Sequence, residues 1–62
     1  MNKKEKKVLD LVVALEQHKR WMRKQPWHGR PQQPREKMRA TQQILLMNLE
    51  LADAIKELLG PE

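Results

Sequence analysis

Apolar residues recur at helical spacing in two stretches of this chain, and a polar, proline-bearing segment divides them. In the first stretch Val8, Leu11, Val12, Leu15 and Met22 fall within one arc of a helical wheel and predict a helix over residues 3–24. Pro26, Gly29, Pro31 and Pro34 interrupt regular helix in mid-chain, so residues 25–33 read as a proline-rich hinge. A second helix is expected over 34–59. Proline is tolerated at a first helical position, Glu36 suits the positive end of a helix, and Gly60-Pro61 is a stop signal. At 1.5 Å per residue each helix is roughly 33–38 Å long. Matched lengths and a short connector predict an antiparallel hairpin.

The second helix carries the broader pattern. Arg39, Gln43, Glu50, Asp53 and Glu57 line a narrow polar side, and leucines, isoleucines, Met47 and alanines occupy the rest from Ile44 to Leu59. These apolar positions cover roughly 220°, about twice the stripe that one neighbouring helix needs. One part, Leu45, Leu49, Ala52 and Leu59, is expected to face the first helix. The other, Ile44, Met47, Leu51, Ile55 and Leu58, is expected to stay exposed in a monomer and to form a dimer or partner interface. The expected fold class is therefore all-α: a two-helix antiparallel hairpin, one domain over residues 1–62, dimerising into a four-helix bundle. A heterologous partner is the alternative cover for the strip. Asn48 falls inside the apolar arc, either as an edge residue reaching water or as a buried amide pair fixing register.

Size strengthens the case for association. A chain of 62 residues buries only about 60% of the surface its unfolded form exposes. It has no cysteine, so neither a disulfide nor a thiolate-held metal reinforces it. His18 and His28 have no carboxylate cluster between them, and no metal or cofactor is expected. The run Val8–Leu15, broken by Asp10, does not read as a signal peptide, and no stretch approaches the ~20 apolar residues of a membrane span. A cytoplasmic location is expected. The basic amphipathic first helix also has the pattern of a membrane-surface helix, but Asp10, Glu16 and the off-face Trp21 oppose that reading.

Charge adds a polarity to this outline. Residues 18–39 hold eight basic groups and one acidic group, a net +7; residues 1–17 come to +1 and residues 40–62 to −3. In an antiparallel hairpin Lys3, Lys4, Lys6 and Lys7 would lie beside Glu50, Asp53, Glu57 and Glu62 and offset them. The hinge end is left strongly positive, which suits an anionic partner. Both tryptophans fall in the same segment. Trp21 lies far from the apolar arc of its helix, with Gln17, Arg20 and Lys24 at helical spacing around it. An exposed indole framed by cations can stack on a base while the cations hold phosphates. Trp27, beside His28 and Arg30, either adds a second stacking surface or folds over the end of the bundle as a lid.

The chemistry of an enzyme is missing. There is no serine, no cysteine and no glycine-rich phosphate loop, Thr41 has no neighbouring histidine, and His18 reads as a core-edge residue. "RPQQPR" contains a PxxP, but His28 and Glu36 occupy the places where a basic anchor would stand, so a stiff connector is the expected role. The leading expectation is a small basic nucleic-acid-binding hairpin, for RNA or DNA. Its contact residues would be Arg20, Trp21, Arg23, Lys24, Trp27, His28, Arg30, Arg35 and Arg39. The alternative is a protein–protein module, a phage- or plasmid-type regulator or inhibitor, gripping an acidic host protein through the apolar strip or the hinge.

Overall fold

The computed structural model describes residues 2–32 and 34–60. Gln33 in the connector, and Pro61 and Glu62, which entered the stop signal and the charge balance, lie outside them. Two helices account for most of the chain: α1, Lys3–Arg23, and α2, Arg35–Leu59.

Their ends follow from local chemistry. Asn2 caps α1: its Oδ1 accepts from the Glu5 N–H at 2.8 Å, and Glu5 Oε1 accepts from the Asn2 N–H at 3.4 Å. This reciprocal capping box satisfies donors that the helix itself leaves free. At the other end the N–H groups of Lys24 and Gln25 bond to Trp21 O and Met22 O, tightening the last turn before Pro26. A residue preceding proline is pushed out of the helical region, which stops α1 there. The connector continues in hydrogen-bonded turns, His28 N–H to Gln25 O and Arg30 N–H to Trp27 O, with Gly29 at φ 77°. Only glycine adopts that backbone without strain. Pro34, expected at the first helical position, instead stands one place earlier as the N-cap of α2, extended at φ −64°, ψ 159°. Its carbonyl accepts the first helical bond, from Met38 N–H at 3.1 Å. The proline ring fixes φ but leaves ψ free to extend, so it suits either position. Gly60, at φ 97°, ends α2.

The helices pack antiparallel. Lys7 Nζ lies 3.8 Å from Glu57 Oε2 near the chain termini, and His18 Nε2 lies 3.1 Å from Ala40 O toward the connector. Val8, Leu11, Leu15 and Met22 of α1 turn inward, as their spacing predicts, but Val12 does not and is 45% exposed.

For α2 the expected division of faces is reversed. Ile44, Met47 and Leu51, assigned to a partner interface, are partly buried in the seam with α1, between the buried Ala40 and Ala54. Ile55 and Leu58 stand at its exposed margin. Leu45, Leu49, Ala52 and Leu59, assigned to α1, face away from it. The apolar arc of α2 is wide enough for either half to serve. The small side chains of Ala40 and Ala54 let α1 approach closely along one half, and that settles the choice.

The result is thin, with principal extents of 44 × 21 × 13 Å. Leu15, Trp27, Ala40 and Ala54 are the buried apolar residues among those described. A single pair of helices is one layer, where stable domains stack two around a core.

Candidate nucleic-acid interface

α1 ends and α2 begins at the same end of the hairpin, which brings Arg20, Trp21, Arg23, Lys24, His28, Arg30, Arg35 and Arg39 to one extremity, all exposed. Arg20 and Arg23, in the last turn of α1, complement the negative pole of that helix. Arg35, Lys37 and Arg39 surround the positive pole of α2, with Glu36 alone opposing them. Cations at a helix N-terminus oppose its dipole by a few tenths of a kcal/mol each, roughly 0.3–1. A sequence that breaks a local rule repeatedly at one place marks a functional site more often than an accident.

The aromatic groups there form a row. His18 stacks on Trp21, with ring centroids 5.5 Å apart and planes at 24°, and Trp27 meets Trp21 edge-on at 6.1 Å and 70°. Trp21 is 47% exposed. Its orientation is held from below by His18, whose ring nitrogen reaches the Ala40 carbonyl on the facing helix. Beside it opens a shallow cleft of about 350 Å³, near the lower limit for small-ligand sites. His18 and Trp21 line its α1 side, and Glu36, Arg39, Ala40 and Gln43 its α2 side.

Trp27 is corrected from contact residue to lid. It is only 7% exposed, and its indole Nε1 finds no hydrogen-bond partner among the described residues. The turns from Gln25 to Arg30 fold this ring inward over the end of the helix pair, where little of it meets solvent and it forms one wall of a recess of about 500 Å³ with Pro26, Arg30, Gln32 and Pro34. Lys37 Nζ donates to Arg30 O at 2.9 Å and ties the connector to α2.

The cations do not form one ring around Trp21. Arg20 and Arg23 approach Glu16 at 4.0 and 3.8 Å, and Arg23 shares a second recess with Lys19, Met22, His28 and Ile44 on the opposite side of the hairpin. Adjacent helical residues point about 100° apart, so Arg20 and Trp21 part company. Arg39 is the cation that lines the Trp21 cleft. His18, Glu36 and Gln43 were not foreseen there. The i,i+3 spacing of His18 and Trp21 and the i,i+4 spacing of Arg39 and Gln43 were the available signals.

Among the described residues no group of three or more His, Cys, Asp or Glu could hold a metal, and no helix is long and apolar enough to cross a membrane. The site therefore belongs to the class of open, basic, aromatic-bearing surfaces on an all-helical hairpin. Comparison with family models, curated proteins and solved structures gives no match to this chain.

Proposed function

We propose that this chain is a small intracellular nucleic-acid-binding protein without enzymatic activity. Its connector end grips the phosphate backbone, and Trp21 stacks on an unpaired base. The observation that carries the reading is the half-exposed Trp21 ring, propped by His18 and Trp27 at the end of the molecule where eight of its thirteen basic residues are concentrated. An indole kept in water beside an open cleft costs hydrophobic free energy that burial would recover. A base covers such a ring on binding, while Arg39 and the arginines of the opposite side follow the backbone. The hairpin acts in this reading as half of a dimeric four-helix bundle.

Titration of a single-stranded oligonucleotide, followed by tryptophan fluorescence, tests it. The affinity should fall with salt by nearly one log unit per log unit for each phosphate contacted. Trp21→Ala should weaken binding at least tenfold, and Arg39→Ala should weaken it and flatten the salt slope by about one. Saturable capture of an acidic protein that survives nuclease treatment, with no oligonucleotide binding, would instead favour the protein-partner reading.

A further inference from the structure

The helix pair has two unlike faces. Residues advance by about 100° around a helix, so Leu9 and Val12 lie to one side of the α1 seam and Trp21 to the other. Because α2 runs antiparallel, Arg39 falls on the Trp21 side, as their shared cleft requires. Leu45, Ala52 and Leu59 fall on the side of Leu9 and Val12. Leu9, Val12, Leu45 and Leu59 are 48, 45, 59 and 81% exposed, so this second face carries an open apolar strip, with Lys19 and Arg23 beside it near the connector. Asn48, also exposed, stands near its middle, since α2 runs from Arg35 to Leu59.

We propose that a second copy of the chain covers this face, with the two connectors at opposite ends of the resulting bundle and the two Asn48 side chains paired across the two-fold axis. This deepens the dimeric reading above and rests on it, and its tests need no nucleic acid.

Charge selects both the occupant and the orientation. Residues 18–39 carry +7, and the remaining segments, +1 and −3, sum to −2. Pairing with connectors at the same end would set two +7 regions side by side. Reversing one copy sets each +7 region beside the −2 region of the other, so the surface is complementary to itself under a two-fold rotation. On this side of α1 the same 100° advance places Lys19 and Arg23 toward the connector and Glu5 toward the termini, so reversing one copy sets the two cations of each chain beside the Glu5 of the other. Face-to-face packing turns one layer of helices into two and gives the exposed leucines a core.

Asn48 then acquires a role. Each amide carries two donors and an acceptor oxygen, so two facing amides satisfy one another. A single buried asparagine pair of this kind fixes register at some cost in stability. Trp21 and Arg39 lie on the opposite face and stay open in the dimer, while Arg23 stands at the edge of the covered one. Two such clefts would look outward near opposite ends, roughly 35 Å apart if separated by the length of a helix of this size.

Cross-linking tests the arrangement, because the chain has no cysteine of its own. Sedimentation equilibrium of the full chain should give twice the 7.4 kDa of one chain. Under mild oxidation Asn48→Cys should form an interchain disulfide in high yield with unchanged helicity, while Gln43→Cys and Arg30→Cys should not. Val12→Glu with Leu45→Glu should weaken association at least tenfold, and Leu46→Glu, on the polar side, should leave it unchanged. If the glutamate variants unfold, the cysteine variants still decide. A dimer that cross-links through Gln43→Cys and not Asn48→Cys has chosen another face, and one that cross-links through Arg30→Cys has its connectors together; either overturns this proposal alone. A mass of one chain up to millimolar concentration overturns the dimeric reading with it.

Discussion

Trp27 meets Trp21 edge-on, 6.1 Å between ring centroids and 70° between ring planes, and the two indoles have opposite fates. One is sealed beneath the connector and the other stands half in water. The sealed ring holds the connector turns against the helix ends and so fixes the position of the open one. Trp27→Ala should cost about 3–5 kcal/mol, comparable with the whole stability of a domain this size, about 3–9 kcal/mol at 0.05–0.15 per residue. Circular dichroism of that variant should show large loss of helix. Trp21→Ala should change the melting temperature by a few degrees only. In the wild-type protein an aqueous quencher should reach one of the two tryptophans readily; equal quenching of both would contradict the lid assignment.

Ala54, 1% exposed, is the most deeply buried side chain among the described residues. Its methyl group is sealed in the seam between α1 and α2 toward the termini, so a larger side chain there must displace its neighbours. Ala54→Leu should destabilise the protein by about 1–3 kcal/mol through overpacking. Ala52→Leu, two residues away and outside the seam with α1, adds the same apolar volume without crowding that seam. A urea melt that ranks the two variants the other way round would mean that the faces of α2 have been exchanged.

That exchange is what the sequence alone could not decide. Helix existence and extent were legible from periodicity and from prolines and glycines, because both act locally: α1 and α2 begin and end within a residue of the expected 3–24 and 34–59. The seam was not, because the apolar arc of α2 offers two competent halves and spacing treats Leu45 and Ile44 alike. The deciding feature was the pair of small residues, Ala40 and Ala54, at the contact. The exposed Trp21 was legible from its place off the apolar arc. The buried Trp27 was not, since its fate depends on how an irregular segment folds back.

The start of α1 was also written locally and went unread: Asn2 and Glu5 are the N-cap and third residue of a capping box. Asn2→Ala should lower stability by about 1 kcal/mol, or roughly 4–8 °C in melting temperature for a domain of this size. Asn2→Asp keeps the acceptor, adds a charge favourable to the helix pole and should melt at or above the wild type. Calorimetry at equal concentration separates the two, and concentration must be matched because association raises apparent stability.

Glu16 connects the fold to the proposed activity. Its Oε1 lies 4.0 Å from Arg20 Nε and 3.8 Å from Arg23 Nη2, with all three side chains more than half exposed. Exposed pairs of this kind contribute roughly 0.2–1 kcal/mol, so the carboxylate restrains the two arginines without anchoring the helix. A phosphate arriving at Arg20 and Arg23 must displace Glu16 and meet its negative charge. Glu16→Gln removes both obstacles and keeps the size and helix propensity of the side chain. The variant should bind a single-stranded oligonucleotide roughly two- to fivefold more tightly at low salt, since 0.4–1 kcal/mol converts to that factor. The gain should shrink as ionic strength rises and screens the removed charge, while thermal stability changes little. Unchanged affinity for Glu16→Gln, in a protein that otherwise binds, would place the phosphates on the Arg39 side of the hairpin and leave Arg20 and Arg23 outside the contact.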